Sequence, residues 1–199
     1  MTKRLVVVLA LAVCCGTGAR GQNGQTAPKV PAGTIIEPGK SMEALLKIYE
    51  DEITSAVNAM PADKFNFAPS AAIFKPEQKV DYLSPNDKGV RTFGQMVGHI
   101  AQANYFFFSS VSGAKMGPEV KAIGSMTSKD DLVKALESSF AFAHTQLGTL
   151  TAANAFASVK DDQTKTSMAA FGIAHMCDHY GQLAEYLRMN GIVPPASQK

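Results

Sequence analysis

Four separate stretches of this 199-residue chain repeat apolar side chains three and four residues apart, and no other feature constrains its fold as strongly. In the first, Met42, Leu46, Tyr49, Ile53, Ala56 and Met60 share one face behind a Ser41 N-cap, and Pro61 ends the run. The second opens on Thr92-Phe93-Gly94-Gln95, a capping box in which hydroxyl and amide satisfy free backbone donors reciprocally. Its inward seam reads Met96, His99, Ala103 and Phe106 or Phe107, and Gly113 closes it. The third opens at Ser128, with Asp130 and Asp131 at the positive end of the helix and a seam of Val133, Leu136, Phe140, Ala143, Leu147 and Leu150. The fourth runs from near Thr164 to Asn190, where Asn190-Gly191 and then Pro194-Pro195 stop it. There is little strand signal between them. The predicted fold is all-α, a four-helix bundle over residues 41–196.

One connection is long. Residues 61–91 carry Pro61, Pro69, Pro76 and Pro85, and predict irregular structure with about one helical turn. Phe65, Phe67, Phe74 and Tyr82 predict that this segment packs on the bundle.

The N-terminus reads as a separate object. Lys3 and Arg4 precede an unbroken apolar run from Leu5 to Cys15, and Ala19-Arg20-Gly21 then stands before Gln22. That order predicts a secretory signal peptide over residues 1–21, since the run is shorter than the roughly 20 residues of a permanent span. Export to the periplasm or the extracellular space follows. No stable membrane span would be left after cleavage. A lipid on Cys14 or Cys15 fits less well, because Val13 is a poor small residue before Cys14. Residues 22–40, rich in Gly, Pro and Gln, read as a flexible linker. Loss of Lys3, Arg4 and Arg20, with no acidic residue, takes the formal charge from +2 to −1. No basic stripe remains to neutralise phosphates, which argues against nucleic acid as a partner. Cys177 is then the one cysteine left, so no internal disulfide can support the fold.

The chain has four histidines. His175 and His179 lie four residues apart on the fourth helix, within the stripe Met168, Phe171, His175, His179, Gln182 and Tyr186. His99 sits on the inward seam of the second helix. Three imidazoles converging from two helices can hold a dication such as zinc and leave coordination positions open. A solvated pair and a hydrogen-bonded core histidine would give the same spacing. Burying three unpaired imidazoles is costly, however, unless each nitrogen finds a partner. His144 flanks the seam of the third helix and reads as a boundary residue rather than a fourth ligand. Cys177 is about 200° around the helix from either paired histidine and reads as a small packing residue. Asp178, Gln182 and Gln102 are candidates to orient a ligand's other ring nitrogen, or else bundle or solvent-facing polar groups.

The segments FGQMVGHIAQANYFF and AHMCDHYGQLAEYLRMNGIVPPAS resemble the second and last helices of the DinB-like family, which includes the DinB and YfiT metalloenzymes. The order, one histidine on the second helix and a pair on the fourth, is also that family's. The resemblance covers roughly residues 41–196 and is most specific in the last helix and its NGIVPP exit. It implies a divalent metal, commonly zinc or nickel, held by His99, His175 and His179 and by no other position. It further implies a metal-dependent enzyme, hydrolase-like or thiol S-transferase-like, acting on a small molecule of unassigned identity. Export sits uneasily with thiol cofactors, which are mainly cytosolic. The competing class is a non-catalytic metal-binding or structural bundle. Exposed bundle faces could also pair two copies as a homodimer.

Overall fold

The computed structural model describes residues 30–69 and 90–198. Four long helices make up the fold: α1 (Pro38–Ala59), α2 (Phe93–Ser112), α4 (Lys129–Leu147) and α5 (Lys165–Met189), with a short α3 (Glu119–Ile123) between α2 and α4. A two-stranded antiparallel ribbon, β1 (Ser158–Lys160) and β2 (Gln163–Thr164), leads into α5. The all-α expectation holds. The ribbon and α3 are additions that the apolar periodicity did not indicate, being too short to show a period. All these elements lie within the compact unit Ile35–Lys199. No helix among the described residues is long and apolar enough to cross a membrane. The proposed signal segment and residues 22–29 of the linker, with Phe74 and Tyr82 of the long connection, lie outside the described residues.

α2 is the centre of the bundle, packing most extensively on α4 and α5, while α1 closes the other side against α5 and α4. Its start shows why it forms there. The first amides of a helix have no partner within it. Here Phe93 N–H donates to the Phe67 carbonyl and Gly94 N–H to that of Phe65, both at 2.8 Å. Gln95 N–H donates to Thr92 Oγ1, and Thr92 N–H donates to Gln95 Oε1, which is the predicted capping box. The connection thus docks by its backbone. It also docks by its rings, with Phe65 buried edge-on against Phe93 at 5.2 Å and Phe67 edge-on against Tyr186 at 5.8 Å. One 3₁₀ turn, Ala62–Lys64, precedes them.

Two boundaries and facings differ from the sequence reading. α1 starts at Pro38, not after Ser41, because proline's fixed φ suits the first helical turn even though it signals a loop elsewhere. On α4 the buried residue is Leu132, with Val133 only half-buried, while Ser128 caps the helix as expected through Asp131 N–H. Of the two alternatives on α2, it is Phe107 that faces inward, as the sequence allowed; Phe106 is exposed. Fully buried Leu46, Ile53, Ile100, Phe108, Leu136, Phe140 and Met176 form the middle of the core. Each such side chain contributes about 1.5–3 kcal/mol over its exposed state.

Candidate metal centre

α2 and α5 run antiparallel along their shared seam, since Phe93 meets Tyr186 near one end and Phe107 meets Gly172 near the other. Gly172 sets how close they come. A Cβ there would stand 3.0 Å from Phe107 Cβ and 3.1 Å from the Phe108 ring, tighter than ordinary contact. This approach brings His99 of α2 level with His175 and His179 of α5. The three predicted histidines meet, and they are the one His/Cys/Asp/Glu cluster among the described residues whose arrangement could hold a metal ion.

The Nε2 atoms face one another. His175 Nε2 lies 3.1 Å from His99 Nε2 and 3.0 Å from His179 Nε2. Two nitrogens bound to one dication at about 2.0–2.1 Å and near-tetrahedral or octahedral angles stand roughly 2.9–3.4 Å apart, so the spacing fits. Gln182 Oε1 accepts from Nδ1 of His179 at 3.0 Å, which puts the ring proton on Nδ1 and leaves the Nε2 lone pair aimed into the cluster. His175 Nδ1 is buried with no hydrogen-bond partner. Nitrogens that cannot all be satisfied by one another, converging in a half-buried setting, are the donor set a divalent ion requires.

Electrostatics favours the ligand form. Burial pushes His99 down to about 3, and the nearby Arg91 guanidinium and the other two rings add to the effect. Burial and His179 push His175 down to about 4, with Asp178 opposing. His179 is lowered chiefly by burial, partly offset by its bond to Gln182 and by Asp178. All three imidazoles are therefore neutral near pH 7, which metal coordination needs. The Phe107 ring of α2 packs beside His175, with 5.3 Å between ring centroids.

The residues expected around the cluster divide. Gln182 is hydrogen-bonded to Nδ1 of His179, the contact already described. Asp178 acts one step further out, accepting from Gln182 Nε2 at 3.2 Å and so helping to fix that amide's orientation. Gln102 is corrected: its Nε2 donates to the Val120 carbonyl at 2.9 Å, so it ties α2 to α3 rather than orienting His99. His144 lies away from the cluster, between Glu50 at 3.0 Å and Glu43 at 3.4 Å. It borders the groove of about 530 Å³ between α1 and α4, which contains none of the three clustered histidines. Cys177 does point away from the histidine face, but it is exposed rather than packed. It lines a surface groove with Met42, Leu45 and Tyr49. Phe171, expected on the inward stripe, is exposed, although its ring lies 4.9 Å from that of Phe107.

Sequence reasoning passed over Arg91. It lines a cavity of about 440 Å³ that also has His99 in its wall. Its only signal was its position immediately before the capping box. The family model described as the DinB superfamily matches residues 20–183, most of the chain. No individual curated protein matches it.

Proposed function

Because the chain belongs to the DinB superfamily, we propose that it is an exported metal-dependent enzyme whose divalent ion, zinc or nickel, is held by His99, His175 and His179. The observation that carries the reading is the convergence of three Nε2 atoms with no fourth His, Cys, Asp or Glu joining them among the described residues. Structural zinc ordinarily has four protein ligands, whereas three leave a position for an exogenous group. Three neutral imidazoles also leave the ion's full charge to act on that group. A divalent ion there supplies Lewis-acid activation of a water or a thiol, which corresponds to the hydrolase-like and thiol-transferase-like reactions.

The chain's own residues have separate tasks. Gln182 fixes the His179 tautomer, backed by Asp178. Phe107 packs its ring beside that of His175. His99 is shared between the cluster and the 440 Å³ cavity, so a small substrate in that cavity lies beside the centre.

Elemental analysis of protein purified without chelator tests the metal. One equivalent of zinc or nickel is expected, falling to near zero in His99→Ala, His175→Ala and His179→Ala. Protein still metal-free after supplementation refutes the proposal. Melts with and without chelator then separate roles. An intact helical fold after metal removal supports chemistry, and unfolding supports a structural ion. Cleavage of residues 1–21 in exported protein, read by mass, tests the localisation.

A further inference from the structure

We propose that the histidine centre acts on a small molecule bearing an uncharged, ring-sized apolar group, and that Phe106 and Phe171 are the residues that recognise that group. The inference rests on the metal-centre reading above and adds the substrate class. Three phenylalanine rings adjoin the cluster, and Phe107 links them. Its ring centroid stands 5.3 Å from that of His175, 4.9 Å from that of Phe171 and 5.2 Å from that of Phe106. Phe107 itself is buried, whereas Phe106 and Phe171 are 53% and 55% exposed. Apolar side chains exposed singly are ordinary on a protein surface. Two that lean on one ring, which in turn leans on His175, make a continuous surface leading to the centre.

The helices put both exposed rings on the same side of the centre. Phe171 precedes His175 by four residues on α5, about one turn or 6 Å along the axis. Phe106 follows His99 by seven residues on α2, about 10 Å along its axis. Because the two helices run antiparallel, these displacements point the same way. The surface they share is poor in charge. α2 carries no Asp, Glu, Lys or Arg anywhere in Phe93–Ser112, and α5 carries none from Thr166 to Cys177. Lys160 and Lys165 share a groove with Phe106, but neither Phe107 nor Phe171 borders it. A charged group laid between His175 and Phe171 loses hydration without gaining an ion pair. An apolar group instead gains the ring area that folding leaves in water, and an aromatic one adds offset or edge-on ring contact. The 440 Å³ cavity reaches the centre through His99, and none of the three phenylalanines lies in its wall. The aromatic surface reaches the centre through His175. The substrate class is therefore a small molecule whose apolar group lies roughly one to two helical turns from the atom that meets the ion.

The test uses the full chain loaded with Co(II), titrated with three hydroxamates and read by its visible spectrum. Acetohydroxamate supplies the metal-binding head alone, 3-phenylpropionohydroxamate adds a ring, and the monohydroxamate of succinate adds a carboxylate on a similar chain. Wild-type protein should bind the phenyl probe about 10- to 30-fold more tightly than acetohydroxamate, and the succinate probe within about twofold of it. Phe106→Ser and Phe171→Ser should each cut the phenyl preference by about threefold or more. The double variant should bring it within about twofold, with acetohydroxamate affinity unchanged. If the serine variants do not fold, Phe171→Leu takes their place, with the preference cut by about twofold. Equal affinities in wild type, the result if the rings instead pair two copies of the chain, overturn the assignment and leave the metal centre standing. So does a tighter succinate probe, or a phenyl preference undiminished in the variants. Wild-type protein that takes up no Co(II) overturns the metal reading and this inference together.

Discussion

Acidification should destabilise the metal-free protein through its histidine cluster. An unperturbed histidine titrates near 6.5, whereas the fold holds His99 at about 3 and His175 at about 4. Between those values the unfolded chain binds protons that the folded chain refuses, so stability rises with pH across that window and is lost as pH falls through it. Taking the pH from 7 to 4.5 would cost about 2.5 kcal/mol for each of the two rings if the shifts were expressed in full. Both rings are only partly buried, and solvent screening reduces the pair's total from about 5 to roughly 2–3 kcal/mol. Urea unfolding of chelator-treated protein, followed by far-UV circular dichroism because the chain has no tryptophan, measures this loss. Acidic residues also titrate in this range, so the comparison is with His99→Leu. That variant should lose about 1–1.5 kcal/mol less than wild type between the two pH values. Equal losses in the two proteins would refute the argument that burial of the imidazoles holds them neutral.

Other consequences are local. Gln182→Leu frees the His179 ring and should weaken metal binding about 10- to 100-fold in competition with a chromogenic chelator, whereas Gln102→Leu should leave it unchanged. Gly39→Ala places a Cβ 2.4 Å from the Leu147 carbonyl oxygen and 2.7 Å from that of Leu150, so α1 must shift; a loss of about 1–3 kcal/mol is expected in urea melts, and an unchanged midpoint would contradict the packing. Ser139→Ala removes the buried partner of Asn104 Nδ2, 3.0 Å away, and should cost about 1–3 kcal/mol, partly recovered by adding Asn104→Leu. His144→Gln breaks only partly exposed pairs with Glu43 and Glu50, so stability should change by less than about 1 kcal/mol and metal content not at all.

The helices were legible because their signals are local. A capping box at Thr92, a serine cap at Ser128 and the stop at Asn190-Gly191 depend on residues within a few positions of one another, and each is found where the sequence puts it. The errors arose where distant parts of the chain decide. Pro38 and Gly39 look like linker residues, yet Gly39 N–H donates to the Leu150 carbonyl at 3.1 Å, and that contact lies more than a hundred residues away in sequence. Lys129 looks like an ordinary first-turn lysine, but its Nζ caps the end of α1 through the carbonyls of Asn58 at 3.0 Å and Met60 at 2.7 Å. Nothing in a periodicity separates Leu132 from Val133 when the neighbouring helix sets the exact rotation.

The site shows the same division more sharply. Gln102 and Gln182 each stand three residues after a clustered histidine, and sequence spacing makes them equivalent. Only the presence of α3 beside α2 distinguishes them, since the Val120 carbonyl takes the Gln102 amide while Gln182 has His179 as its neighbour. The histidines themselves follow a different logic. Leucine or phenylalanine at His99 and His175 would bury without loss, whereas imidazoles there forgo hydration and leave Nδ1 of His175 unpartnered. A core selected for packing alone has no reason to place three such rings nitrogen to nitrogen. That energetic disadvantage, visible at 3.0 and 3.1 Å, is the physical reason for treating the cluster as a site rather than as part of the core.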